Sequence, residues 1–153
     1  MRVVCALGLV WSAVMWGHCQ IPCGIYHDDL VFAQMNEQVE TIAKSTQAII
    51  ELEKVCHNPQ VMNQTTRWII NRDHQADHLA EMVSTYFLQQ RIPVGSGSAK
   101  ILATAHQLLV SAMKVKQNVG SQPVQDLQEV LKQFATQYQE LRGHLDGKTE
   151  KTS

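Results

Sequence analysis

Several side chains that can bind a metal lie close together near the N-terminus, in the stretch HCQIPCGIY at residues 18–26. A cut directly before His18 would place a terminal amine and an imidazole beside the thiols of Cys19 and Cys23. Chelation by Cys19 would also bring its backbone amide nitrogen to the metal. Pro22 restricts φ and Gly24 permits unusual backbone conformations, so the segment can turn back on itself. Two nitrogens and two thiolates in one plane suit nickel(II) or copper(II), whereas zinc prefers a tetrahedron.

The segment before His18 has the features of a secretory signal peptide. Residues 1–17 consist of Met1-Arg2, an apolar stretch from Val3 to Trp16, and the small residue Gly17. The stretch is shorter than the roughly 20 residues that a helix needs to cross a bilayer. The sequence thus predicts cleavage between Gly17 and His18 and a secreted or extracytoplasmic protein, for which Asn63-Gln64-Thr65 would be a glycosylation sequon.

Length, charge and cysteine content narrow the possible classes of protein. The chain has 153 residues and a formal charge of -1, which fits one domain and gives no basis for binding nucleic acid or a membrane surface. Cys5 leaves with the signal peptide, so Cys19, Cys23 and Cys56 remain. Three cysteines do not make a disulfide framework.

Four amphipathic segments follow the cysteine-rich turn, and short breaks separate them. The first begins at the first-turn acids Asp28 and Asp29 and reaches about Val55. The second runs from about 61 to 90 and the third from about 98 to 118. The fourth follows the break at Gly120–Pro123 and ends at about Leu145. They predict an all-α, antiparallel four-helix bundle over residues 28–145, with a metal-binding hook at 18–27 and a disordered polar tail at 146–153. The inward positions are Phe32, Met35, Val39, Ile42, Thr46, Ile49, Leu52 and Cys56; Ile69, Ala76, Leu79, Val83 and Tyr86; Ile101, Ala105, Leu108, Ala112 and Val115; and Leu127, Leu131, Phe134, Tyr138 and Leu141.

HCQIPCGIY resembles the N-terminal nickel hook of the nickel-containing superoxide dismutases, in which the mature chain starts with His-Cys-x-x-Pro-Cys-Gly-x-Tyr and continues into a four-helix bundle. The segment RWIINRDHQADHLAEMVSTYF also looks like the second helix of that family. Gln20 departs from the Asp that many bacterial members carry, and a secretory signal differs from their short leader. The resemblance implies an enzyme that disproportionates superoxide to oxygen and hydrogen peroxide.

The resemblance also implies a ligand set and neighbouring residues. One nickel per subunit would be bound by the amine and imidazole of His18, the amide and thiolate of Cys19, and the thiolate of Cys23. Tyr26 would limit access to small anions and order water near the metal. The metal would cycle between nickel(III) and nickel(II), in a homohexamer whose contacts could bury Trp68 and Phe87. Tyr86 resembles a second tyrosine near the site, and Arg67, Arg72 and Glu37 are candidates to hold the His18 ring.

Two other functions are compatible with the residues alone. A disulfide between Cys19 and Cys23 would fit a secreted helical interaction protein without catalysis. The same turn could also belong to an extracellular metal-binding module without turnover. His74 and His78 have the spacing of a helical metal pair, but we expect them to lie on a solvated face. The hook differs from these alternatives in requiring His18 as the first residue of the mature chain.

Overall fold

The computed structural model describes residues 28–55 and 58–149, which form four helices. Helix α1 spans Asp28–Glu53 and α2 spans Pro59–Met82, after which the same helix continues in π-helical geometry over Val83–Arg91. Helix α3 spans Ala99–Gln117, after a single 3-10 turn at Ser96–Ser98, and α4 spans Gln122–Thr149. The predicted all-α four-helix bundle is confirmed.

Each helix packs against the helices before and after it in the chain, and α4 closes the ring against α1. Because short connections join successive helices, neighbours run antiparallel. The start of α1 therefore lies at the same end of the bundle as the end of the π-helical segment and the second half of α4. At the opposite end, Asn58 caps α2 by accepting hydrogen bonds from the amides of Gln60 and Val61, and Pro59 occupies the first turn.

The core consists of the stripes that helical spacing predicts. All five inward positions of α3 are buried, as are Met35, Val39, Ile42, Thr46 and Ile49 on α1. Phe87 is fully buried in this core, so its predicted place at a subunit contact is wrong. It lies inside the bundle because it is four residues after Val83 and eight after Leu79, on the buried face that these two residues define. Trp68 remains 37% exposed.

Three helix boundaries differ from the sequence prediction, the first being the end of α1, which lies at Glu53 rather than at about Val55. Asn58 and Pro59 start α2 two residues earlier than expected, because a capped proline is well placed in a first turn. Helix α4 continues to Thr149, so the predicted polar tail is helical at 146–149. Cys56, predicted to lie on the buried stripe of α1, is outside the described residues, as are the signal and hook segments. Within the described ranges, no helix is long and apolar enough to cross a membrane.

Candidate functional site

The predicted metal ligands His18, Cys19 and Cys23 precede the residues that the structure describes, as does Tyr26. Their roles stay predictions. Their chemistry fits nickel, because thiolates, an amine and an imidazole are donors that first-row metals prefer, and planar nitrogen and sulfur sets suit nickel(II). The structure describes the bundle from Asp28 onward, so it shows the place where the hook segment joins the bundle.

Asp28 is the first residue of α1, and both of its carboxylate oxygens accept hydrogen bonds from distant helices. The hydroxyl of Tyr86, in the π-helical segment, donates to Oδ1 at 2.6 Å. The hydroxyl of Tyr138, on α4, donates to Oδ2 at 3.0 Å. One side chain at the start of α1 therefore links three of the four helices of the bundle.

Two guanidinium groups flank the same carboxylate. Arg91 Nε lies 3.6 Å from Asp28 Oδ1, and Arg142 Nε lies 3.8 Å from Oδ2. Arg91 also donates from Nη2 to the Tyr86 hydroxyl at 3.0 Å. We call these five residues, Asp28, Tyr86, Arg91, Tyr138 and Arg142, the Asp28 cluster. Its two cations and one carboxylate leave one positive charge, next to the exposed carboxylate of Asp29.

The π-helical geometry of Val83–Arg91 brings Tyr86 and Arg91 together. Its hydrogen bonds join residues five apart, so side chains at that spacing share a face. In an α-helix the same two side chains would point about 140° apart. Here the guanidinium carbon of Arg91 lies 4.9 Å from the centroid of the Tyr86 ring, within range of a cation–π contact. The sequence contains no signal for this geometry, which sequence reasoning missed.

Aromatic rings form a rigid layer beneath the Asp28 cluster. The ring of Phe87 makes edge-to-face contacts with Phe134 and Tyr138, each with centroids 5.0 Å apart, and with Tyr86 at 5.1 Å. Phe32, one turn after Asp28, packs 5.1 Å from Phe87. The chain has three Phe, and all of them lie in this layer. Contacts with these core rings therefore hold the two tyrosines of the Asp28 cluster in place.

Both phenols of the cluster stay protonated over a wide pH range. Burial, with the hydrogen bond to the Asp28 carboxylate as the second cause, raises the pKa of Tyr138 strongly. Burial and the same carboxylate also raise the pKa of Tyr86, although Arg91 opposes part of the shift. Each hydroxyl thus remains a donor to Asp28 at any pH near neutrality.

A shallow cavity of about 310 Å³ opens beside the start of α1. Its volume is sufficient for several water molecules or for a short piece of chain. The cavity adjoins the residue to which the hook segment is attached. Its lining residues are Asp28, Asp29, Phe32, Tyr138, Gln139 and Arg142.

The candidates for holding the His18 ring lie away from the Asp28 cluster. Arg72 is buried and donates to the carbonyls of Lys116 and Asn118 at the end of α3, at 3.0 and 2.9 Å. It is fourteen residues before Tyr86, or about 21 Å along the helix axis. Arg72 therefore caps α3; because His18 precedes the described residues, the role of Arg72 in holding its ring stays a prediction. Arg67 and Glu37 are exposed, and their proposed role stays a prediction.

The histidine pair on α2 behaves as expected. His74 and His78 are both exposed, and His78 Nδ1 lies 3.9 Å from a carboxylate oxygen of Glu81. Among residues 28–55 and 58–149, no three His, Cys, Asp or Glu side chains are grouped so that they could hold a metal ion.

The described residues form the four-helix bundle that the resemblance to the hook-bearing family implies. A family model described as nickel-containing superoxide dismutase matches residues 12–142 of the chain. The chain therefore belongs to the nickel-containing superoxide dismutase family. Neither the curated proteins nor the solved structures contain a significant match.

Family membership establishes the class of reaction. The protein is a nickel-dependent oxidoreductase whose substrate is superoxide and whose cofactor is nickel. The matched span includes residues 18–27 and the whole Asp28 cluster. Tyr86, which the sequence resemblance placed near the metal, hydrogen-bonds to the residue at which the hook segment joins the bundle.

Proposed function

We propose that the protein disproportionates superoxide at an N-terminal nickel hook that forms when a signal peptide is removed between Gly17 and His18. The overall reaction consumes two superoxide anions and two protons and yields one oxygen and one hydrogen peroxide. The family match over residues 12–142 carries the proposal, together with the agreement of HCQIPCGIY with the hook pattern. Bound nickel supplies one-electron chemistry, since it alternates between nickel(III) and nickel(II).

The residues of the hook hold the metal and control access to it. The amine and imidazole of His18, the amide and thiolate of Cys19 and the thiolate of Cys23 hold nickel. Electron-rich thiolate and amide donors lower its potential into a range that aqueous nickel does not reach. Tyr26 restricts the entrance so that only small anions reach the metal, and it orders water near the metal. This arrangement also protects the thiolates, which hydrogen peroxide oxidises when they are exposed.

Export and assembly belong to the same proposal. The apolar segment from Val3 to Trp16 directs the chain out of the cytoplasm, and the mature protein assembles as a homohexamer, as the family resemblance implies. The partly exposed ring of Trp68 offers apolar surface for subunit contacts. The native mass of the secreted protein measures the number of subunits directly.

The first experiment is native mass spectrometry of the secreted protein, with sequencing of its N-terminus. We expect a chain that starts at His18 and carries one nickel per subunit. A metal-free chain that starts elsewhere, two hydrogens lighter because of a Cys19–Cys23 disulfide, would instead identify a secreted interaction protein. Nickel without superoxide turnover would identify a metal-binding module.

A second experiment tests the ligand role of His18 against a matched control. His18→Ala removes the imidazole but keeps the terminal amine, and we expect it to lose superoxide turnover. His27→Ala removes a nearby imidazole that has no proposed ligand role, and it should keep wild-type turnover. Equal effects of the two substitutions would contradict the assignment of His18.

A further inference from the structure

Asp28 lies where the proposed hook meets the bundle. Cys23 is five residues earlier, so the two Cα atoms are at most about 18 Å apart. Tyr26 is two residues earlier, within about 7 Å. The first turn of α1 therefore lies within a short length of chain of the proposed ligand Cys23 and of Tyr26.

Both oxygens of Asp28 are committed to other helices. Tyr86 and Tyr138 donate to them from positions 58 and 110 residues away, and Arg91 and Arg142 lie within 4 Å. Hydrogen bonds to an ionised carboxylate are stronger than those between neutral groups. The first turn of α1 is therefore attached to the π-helical segment and to α4 as well as to its own helix.

The partners of Asp28 are themselves held in place. Tyr138 is 1% exposed, and its ring packs on Phe87 and Phe32. Tyr86 makes an edge-to-face contact with Phe87, and the Arg91 guanidinium lies over its ring. A carboxylate bonded to such partners has one defined position relative to the core.

We propose that Asp28 is a positioning residue for the nickel hook, acting through its bonds to Tyr86 and Tyr138. This inference rests on the proposed function. When those bonds are present, the hook starts from a fixed point and direction, so its ligands lose less conformational freedom as they close around nickel. When they are absent, the metal must also order the first turn of α1, and its affinity falls.

Asp29 provides a matched control for this proposal. It is the next residue, is exposed, and also contributes a negative charge to the first turn of α1. No hydrogen bond or ion pair of Asp29 is found among residues 28–55 and 58–149. Asp28→Ala and Asp29→Ala therefore remove the same charge from the same helix end, but only the first removes the bonds to Tyr86 and Tyr138.

The experiment measures nickel affinity rather than turnover. The mature chain starting at His18 is titrated with nickel in competition with a chromophoric chelator, for wild type and both variants. Loss of partners that orient metal ligands typically weakens binding about 10- to 100-fold, and we expect Asp28→Ala to lie in this range. Asp29→Ala should stay within about twofold of wild type. Circular dichroism of the metal-free proteins checks that the bundle is intact.

The outcomes separate this inference from the proposed function. A wild-type chain that binds no nickel would overturn the function. If wild type, Asp28→Ala and Asp29→Ala all bind nickel with the same affinity, the positioning role of Asp28 alone is overturned. If Asp28→Ala does not fold, the substitute variant is Tyr138→Phe, which deletes only the hydroxyl that reaches Oδ2 of Asp28. If this variant binds nickel as tightly as wild type does, the inference is likewise overturned.

Discussion

The side chain of Asp28 shows which properties of one residue a sequence reveals and which it conceals. Its place in the first turn of a helix follows from the sequence, since an acid there is favoured by the helix dipole. Its partners do not follow, because Tyr138 and Arg142 lie more than 100 residues away and become neighbours only when α1 and α4 pack. Tyr86 could be singled out by resemblance, but its bond to Asp28, 58 residues away, could not.

At the residue scale, Tyr138→Phe should change how stability depends on pH. The phenol of an unfolded chain loses its proton near pH 10, whereas the native Tyr138 keeps it because its pKa is raised. The native state then binds more protons, so the free energy of unfolding falls as pH rises above about 10. Below that pH the contribution is fully present.

Urea unfolding at about pH 8 and about pH 11 measures this effect. We expect the variant to lose about 1.5–3 kcal/mol at the lower pH, the usual range for a hydrogen bond to a charged group. Between the lower and the higher pH, the free energy of unfolding should fall less for Tyr138→Phe than for wild type. If wild type and Tyr138→Phe lose the same free energy of unfolding between the two pH values, the pKa of Tyr138 does not differ between the folded and unfolded states.

At the scale of the helices, hydrophobic spacing predicts nearly everything that depends on one element alone. Every inward position of α3 is buried, and the four helices lie where the stripes place them. The π-helical segment was not predictable, because Val83, Tyr86 and Phe87 also fit α-helical spacing. Phe87 also fits that spacing, since it lies four residues after Val83 and eight after Leu79, so its place in the core could have been predicted from the sequence.

A contact between two helices explains why a charged residue is buried at Arg72. Its guanidinium satisfies the carbonyls of Lys116 and Asn118 at the end of α3, which have no intrahelical partner. We expect Arg72→Met to destabilise the bundle by about 1–3 kcal/mol for each carbonyl left unpaired. Arg72→Lys should recover only part of this, since an ammonium lacks the planar fork of donors.

The control for Arg72 is Arg67→Met, which changes an exposed arginine of the same helix. Surface substitutions usually change stability by about 0.5 kcal/mol or less. Thermal or urea unfolding of the three variants at one protein concentration measures the differences. Equal effects of Arg72→Met and Arg67→Met would contradict the capping role.

Phe87 and Trp68 give a second test at this scale, because both lie on one continuous helix but differ in burial. Phe87→Ala removes the ring that contacts Phe32, Phe134 and Tyr138, and it should cost about 3–5 kcal/mol. Trp68→Ala should cost about 1 kcal/mol or less in the isolated bundle. If the proposed subunit contacts bury Trp68, this variant should instead lower the native mass.

At the scale of the whole molecule, the bundle has a complete core of its own from Val31 to Tyr138. The proposed nickel ligands all precede it in the chain. We therefore expect the bundle to fold without the metal, in contrast to small domains in which metal binding supplies the folding free energy. The sequence predicts this division, since the hook residues and the helical stripes do not overlap.

Removing nickel should accordingly lower the melting temperature without removing helical structure. At a free nickel concentration about 100 times the dissociation constant, binding stabilises the folded state by about 2.7 kcal/mol. We expect the circular dichroism signal of the helices to be the same before and after chelation, with a shift in the midpoint alone. Loss of the helical signal on chelation at room temperature would show that the metal is needed for folding.

The bonds of Asp28 also affect how α1 opens. Helix ends ordinarily fray, since their first turn has few partners. The first turn of α1 can fray only if the Tyr86 and Tyr138 hydroxyls release the carboxylate, and these rings belong to the aromatic layer of the core. Local opening there thus requires two hydrogen bonds to an ionised carboxylate to break. Every residue that precedes Asp28 is consequently attached to a point that moves with the bundle as a whole.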